Sequence, residues 1–553
     1  MLKAAGKGLA FAVLALGVSS ALAISQSGEQ KNMRRVGHTD LQGRAAYQPN
    51  FIDYPDGRVI AFIGTHGGTA KNTLKPGSPV ESNGTMIVDI TNPERPVETA
   101  HIPVPVAGGQ AQMTRMCLGQ DIGGLTNHVY LLRNIQGSSA AGYEIWDVTD
   151  VRSPAPVAAL RGIRSTHKDW WECKGSTPSG RGGLAYMPGS KSAPAPLWRT
   201  SQSMLVYDWG NPPLATPGAT VAPLVANYPK YIRTYGVVGA QPGPRPNPLA
   251  QPPNSLHGPI SAFEHPQANM ALARAAGPDD KVGNRIYAAW GVGDDGILQI
   301  IDRKKLLPSD YGGTWNGANP DTPSDAELEA AQAGILYMSP DQGGHTSFPV
   351  FGLKPKGYVG FTEFLTRDIV LLASESTADE CKEAPHWSFI VDVTVENSKT
   401  APPGTKVEEN KWQGPMVLST MSVDPRRGEK YKRGNYCARG ARFGVHSSEE
   451  NFRNPYYGRV TFLAYFTGGV RAWDIREPEA AVEVGFYVTE SNANTLPAGY
   501  MTNNVEVDNR GYILIVDRNG SGFDIIELHG KAKDIGLGRH EEHEDRDDGD
   551  RDD

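Results

Sequence analysis

Five histidines recur at comparable places along the chain: His38 in Gly-His-Thr-Asp, His167 in Thr-His-Lys, His257 in Leu-His-Gly, His345 in Gly-His-Thr and His446 in Val-His-Ser. Each lies tens of residues upstream of a short apolar segment that ends in Asp. Imidazoles gathered from separate segments fill a core poorly, because every ring has a donor and an acceptor to satisfy. Clustered neutral histidine is a preferred ligand set for a transition metal. The five are therefore expected as metal ligands, with His66 near the same place. Glu172, Glu375, Glu380, Glu449 and Glu450 stand near the same positions and are candidates for added carboxylate ligands. The competing reading gives each histidine only a backbone hydrogen bond, and each glutamate a solvated or Arg-paired role.

Other residues near these positions carry weaker signals. Trp170-Trp171-Glu172-Cys173 suits the wall of a substrate pocket and equally a packed cluster beneath a loop. Arg439, Arg442 and Arg471 flank His446 and are read as partners of nearby glutamates rather than as a site for an anionic substrate. No Gly-x-Ser-x-Gly elbow, P-loop, His-Glu-x-x-His or haem Cys-x-x-Cys-His occurs. Nucleotide-dependent chemistry and the common hydrolase and zincin mechanisms lose support accordingly.

The elements that must position these residues form a repeat. Met86-Ile87-Val88-Asp89-Ile90-Thr91-Asn92-Pro93 is followed by Glu144-Ile145-Trp146-Asp147-Val148-Thr149-Asp150, Leu205-Val206-Tyr207-Asp208 and Leu298-Gln299-Ile300-Ile301-Asp302. Phe389-Ile390-Val391-Asp392-Val393-Thr394, Arg471-Ala472-Trp473-Asp474-Ile475 and the weaker Gly522-Phe523-Asp524-Ile525 complete seven copies. Each is a strand ending in a turn. Units are read at 38–104, 108–160, 165–235, 255–307, 343–396, 441–488 and 499–529. Four short antiparallel strands per unit describe an all-β, seven-bladed β-propeller over residues 33–529, with Arg34–Val36 completing the last blade. Stretches 209–254, 308–342 and 397–436 are rich in Pro, Gly and charge and read as long loop insertions. In such a ring a histidine at a unit's entry starts the innermost strand, so the five converge on one axis.

Composition bounds the rest. The chain has 553 residues with 63 Gly and 42 Pro, a mix suited to short strands and many turns. Residues 1–23 read as a secretory signal peptide: Lys3 and Lys7, an apolar run over 9–18, then Ala21-Leu22-Ala23. That run is too short to span a bilayer comfortably. The expected location is periplasmic or secreted, where disulfides are permitted. Four cysteines allow three connectivities. Pairing between adjacent units favours Cys117–Cys173 and Cys381–Cys437 over a metal-thiolate site. From His540 onward nine acidic residues meet two arginines, which accounts for the whole net charge of −7. Residues 530–553 are thus read as an acidic disordered tail. The body is near neutral and offers no basic face for nucleic acid.

The motifs Met86–Pro93, Glu144–Asp150 and Phe389–Thr394 resemble those of the LVIVD-repeat family of exported bacterial β-propellers. Residues Thr166–Cys173 and Cys437–Ser448 resemble a long-chain branch of it. The resemblance covers most of 33–528 and implies fold and export more than activity, since propellers host binding, scaffolding and catalysis alike. By analogy with His-lined exported propellers, copper is expected in preference to zinc. The functional expectation is a metalloprotein with a histidine-lined central channel, suited to an oxidoreductase acting on a small substrate. The alternative is a non-catalytic periplasmic or cell-surface propeller that binds a partner protein through the inserted loops.

Overall fold

The computed structural model describes residues 29–539, apart from 138, 193–194, 216–227, 244–253, 269–280, 359–365 and 397–413. The expected signal peptide and the acidic run from His540 lie outside the described residues.

The repeated Asp has a local cause. Asp89, Asp147, Asp392 and Asp474 each accept, through a side-chain oxygen, the backbone N–H two residues on. That closes an Asx turn at the end of the strand. Where the second residue is Thr, its hydroxyl accepts an N–H from the first or second residue of the neighbouring strand: Thr91 from Val59, Thr149 from Val129 and Thr394 from Asp368, each at 3.0 Å. The Asp-x-Thr signature is thus a clasp between two strands. The residue pair just before each Asp also carries a β-bulge, as at Ile87/Val88, Ile145/Trp146, Ile300/Ile301 and Ala472/Trp473. A bulge there adds twist at the outer edge of the sheet.

The strands form antiparallel meanders in which sequence order is spatial order. Thr114–Leu118, Val129–Ile135, Gly142–Asp147 and Ala155–Arg161 are one example. The first strand of each meander packs beside the first strand of the next. Ala46–Asp53 lies beside Thr114–Leu118, then come Trp170–Trp171, Leu256–Ser261, Thr346–Leu353, Phe443–Ser448 and Thr502–Val507, and the last lies beside Ala46–Asp53 again. The ring is closed, so the protein is a β-propeller. Met33–Thr39 supplies the outermost strand of the final meander by pairing with Phe523–Leu528. This joins an N-terminal and a C-terminal strand in one sheet and closes the ring. The core sits between meanders: Met204 and Val206 pack with Ile286 and Ala288 of the next, all fully buried.

Three expectations change. The first unit does not begin at His38: that residue lies on Met33–Thr39, at the outer edge of the last sheet, and the first inner strand is Ala46–Asp53. The insertions are not loops throughout. Each contains an outermost strand, namely Lys230–Tyr235, Gln332–Tyr337 and Met416–Met421. Finally, the stretch assigned to the tail begins with a helix, Gly530–Gly536, whose Ala532 and Ile535 are buried against the sheets. Among the described residues no helix is long and apolar enough to cross a membrane.

The two disulfides are Cys117–Cys173 and Cys381–Cys437, each bridging 56 residues. The first ties one inner strand to the end of the next. The second joins the loop after Ala373 to the segment leading into Phe443–Ser448.

Candidate functional site

Each inner strand, or the residues leading into it, brings one polar residue to the central channel. The set comprises Tyr47, Gln112, His167, His257, His345, His446 and Asn503, and His66 joins it from the end of Val59–Thr65. Four imidazoles form a chain. Ring centroids are 4.3 Å apart for His167–His257, 3.6 Å for His257–His345 and 4.2 Å for His345–His446. Tyr47 stands 5.5 Å from the His167 ring and 5.7 Å from His446, taking the place in the first sheet that had been assigned to His38.

Hydrogen bonds fix which nitrogen is available. His257 Nδ1 lies 2.7 Å from the His345 carbonyl oxygen, and His446 Nδ1 lies 2.6 Å from that of Asn503. A carbonyl only accepts, so both Nδ1 atoms carry the proton and both Nε2 atoms present a lone pair. Gln136 Nε2 donates to His167 Nδ1 at 3.3 Å, which puts the His167 proton on Nε2, 2.7 Å from Nε2 of His257. Gln112 likewise donates to His66 Nδ1 at 2.8 Å. His345 makes no hydrogen bond through either ring nitrogen although it is fully buried.

Among the described residues, the Glu375 carboxylate reaches this layer. Glu375 lies 3.4 Å from His345 Nε2, 3.6 Å from His446 Nε2 and 2.9 Å from Arg442. His257, His345 and Glu375 offer donor atoms that all lie within 4.8 Å of one another. Burial drives every imidazole here towards neutrality. His167 falls to about 3, with Lys168 and Arg518 adding to the effect. His66, His257, His345 and His446 lie well below their ordinary value for the same first reason. Burial raises Glu375, and the charges of Arg442 and Arg518 oppose the rise. Neutral imidazoles beside one carboxylate are chemically ready to bind a metal cation.

The remaining predicted residues serve elsewhere. His38 bonds Asp524 at 2.7 Å. Glu172 is buried against Arg303, Ser261 and Tyr186. Glu449 accepts from Thr461 and the Phe462 N–H, and Glu450 pairs with Arg115 and Lys168. Glu380 is exposed beside Lys382. Arg439 pairs with Glu29, Arg442 with Glu375 and Arg471 with Glu483. Trp170 and Trp171 are both buried in the core, and Trp170 also lies under Arg115 with 4.5 Å between guanidinium and ring. Lys168 was overlooked as a channel residue. Its stem packs over Gly258, where a Cβ would lie 2.8 Å from Lys168 Cδ, so a side chain there would displace the lysine stem. Tyr47, Gln112 and Asn503 were missed because the register was sought through histidine alone.

No family model matches the chain, and no curated relative does. Among solved structures, the C-terminal WD40 domain of Sif2 aligns with a TM-score of 0.40 at 9% identity, covering 90% of this chain and 99% of that one. The Dos1 propeller aligns with a TM-score of 0.41 at 9% identity, covering 90% and 96%. The propeller assignment rests on the closed ring of the chain's own inner strands.

Proposed function

We propose that this is an exported metalloprotein, a seven-bladed member of the LVIVD-repeat group, whose imidazole layer holds a transition metal. The observation that carries the reading is the buried trio His257, His345 and Glu375, with His446 beside it. The donors fit such an ion: the His345 nitrogens lack hydrogen bonds, and backbone carbonyls orient His257 and His446. Metal–nitrogen bonds of about 2.0–2.1 Å imply a small contraction of the cluster. All four cysteines are in disulfides, so no thiolate competes, and an imidazole-rich set favours copper over zinc in intrinsic affinity. The two-His-one-carboxylate subset is also the donor pattern of ferrous oxygenases. Bound there, the metal would supply Lewis acidity or electron transfer to a small substrate, with an oxidoreductase the matching enzyme class. Arg442 would orient Glu375 and oppose the upward shift that burial imposes on it, and the backbone would hold the rings in place. The leader-like N-terminus and the two disulfides support a periplasmic or secreted setting.

The test is elemental analysis of untagged protein for copper, zinc and iron, before and after reconstitution. Near-stoichiometric metal that is lost in His446→Ala and kept in His101→Ala supports the reading. Metal below about a tenth of an equivalent after reconstitution would leave the non-catalytic binding propeller in its place.

A further inference from the structure

The channel has a second mouth. Chain segments that leave the imidazole layer run on to the opposite face: Tyr47 to Asn50, His167 to Trp170, His446 to Glu450 and Asn503 to Glu506. Three or four residues cover at most roughly 10–13 Å when extended. There Asn50, Arg115, Trp170, Glu450, Asn451 and Glu506 line a cleft of about 170 Å³. A neighbouring hollow of about 360 Å³ shares Trp170, Glu450 and Asn451 with it.

The charges of this mouth are engaged with one another. Arg115 and Lys168 both pair with the Glu450 carboxylate. An anion would find both cations taken, and a cation would find Glu450 taken twice. Glu506 accepts the backbone N–H groups of Glu450, at 3.2 Å, and of Val507, at 2.9 Å. Burial, reinforced by the Glu450 charge, pushes Glu506 up to about 8, so at neutral pH it is chiefly an uncharged carboxyl able to donate. What faces the cleft is therefore a set of hydrogen-bonding groups beside the partly exposed apolar side chains of Phe51 and Met116 and the small part of the Trp170 ring that Arg115 leaves uncovered. A ligand matching both must be uncharged, rich in hydroxyls and apolar on one face. A pyranose ring has that character.

We propose that this second mouth is a binding site for a neutral polyhydroxylated ligand, a sugar ring or its glycoside, separate from the imidazole layer. The test is saturation-transfer NMR on the full chain with methyl glycosides of glucose, galactose and N-acetylglucosamine. Acetate and tetramethylammonium serve as charged probes. At least one glycoside should take up saturation, and the charged probes should not. Trp170→Phe should weaken binding by about fivefold or more, the loss of roughly one contact, and Glu506→Ala should abolish it. His257→Ala, in the other layer, should leave it unchanged, which separates this site from the metal reading. If Glu506→Ala loses its β spectrum, Trp170→Phe decides. The proposal is overturned if no glycoside binds, if a charged probe binds in its place, if folded Trp170→Phe binds as the parent does, or if His257→Ala abolishes the signal.

Discussion

His257 Nδ1 lies 2.7 Å from the backbone carbonyl oxygen of His345. One imidazole of the central layer is thus oriented by the backbone of the residue that follows it around the ring. The bond needs no further side chain, and it leaves Nε2 of His257 directed at its neighbours. His446 repeats the device with Asn503. Rings fixed in this way have little rotational freedom left to lose on binding an ion.

From this comes the first prediction. His257→Ala, His345→Ala and His446→Ala should each lower metal content by tenfold or more, an effect of about 1.4 kcal/mol or larger. His38→Ala should retain full content, because His38 is bonded to Asp524 at the outer edge of the last sheet. Elemental analysis beside circular dichroism checks this. Equal metal in the His38 and His446 variants would show that the layer is only structural.

The second prediction concerns the disulfides. Each closes 56 residues, for which chain entropy predicts about 4 kcal/mol, and native disulfides commonly contribute about 2–5 kcal/mol. Removing either pair should cost a similar amount in urea unfolding. Their effects on metal should differ. Cys381 lies on the loop that carries Glu375, and Cys437 lies five residues before Arg442, the partner of Glu375 at 2.9 Å. Cys381→Ser with Cys437→Ser should weaken metal binding, whereas Cys117→Ser with Cys173→Ser should spare it. Equal metal affinity in both double variants would separate the bond from the site.

How far the sequence announced this is clear from particular residues. The Asp-x-Thr clasp is local: Asp147 and Thr149 act within one turn, and Thr149 reaches Val129 only 20 positions away. Repeats, strands and disulfide pairs were therefore legible. His38 was misplaced because its partner, Asp524, is 486 positions away, and nothing local reveals that the N-terminal strand closes the last sheet. The outermost strands Gln332–Tyr337 and Met416–Met421 were hidden by insertions that separate them from the motif they pair with. Among the glutamates, only distant partners distinguish Glu375, beside two imidazoles, from Glu172, clasped by Arg303 from 131 positions away.

That distinction gives the third prediction. Glu172 is fully buried and accepts from Arg303 at 2.8 Å, Ser261 at 2.6 Å and Tyr186 at 3.0 Å. Glu172→Ala would leave the buried Arg303 unpaired, and stability should fall by about 3–5 kcal/mol. Metal content per folded molecule should not change. Glu375→Ala should show the reverse pattern, with metal lost at a smaller stability cost. Urea unfolding and elemental analysis of both variants would expose a reversed assignment.

The fourth prediction is a pH dependence set far from the channel. His101 is buried and bonds Glu81 through Nδ1 at 2.9 Å. Burial, with Arg44 adding, lowers its pKa from 6.5 to about 3 despite the Glu81 charge. Below pH 6.5 the unfolded chain protonates this ring while the folded protein holds it neutral, so the unfolded state binds more protons and stability falls with pH down to about 3. Burial opposes the shift in Glu81, but Lys75, His101 and Asn72 together take it from 4.5 to about 2, so its contribution is lost over that lower range. Both effects have the same sign. The parent protein should therefore melt at progressively lower temperature from pH 7 to pH 4. His101→Gln keeps an amide donor and does not titrate, so its melting temperature should fall less over the same range. Parallel melting curves for the two proteins would show that His101 is not held neutral in the folded state.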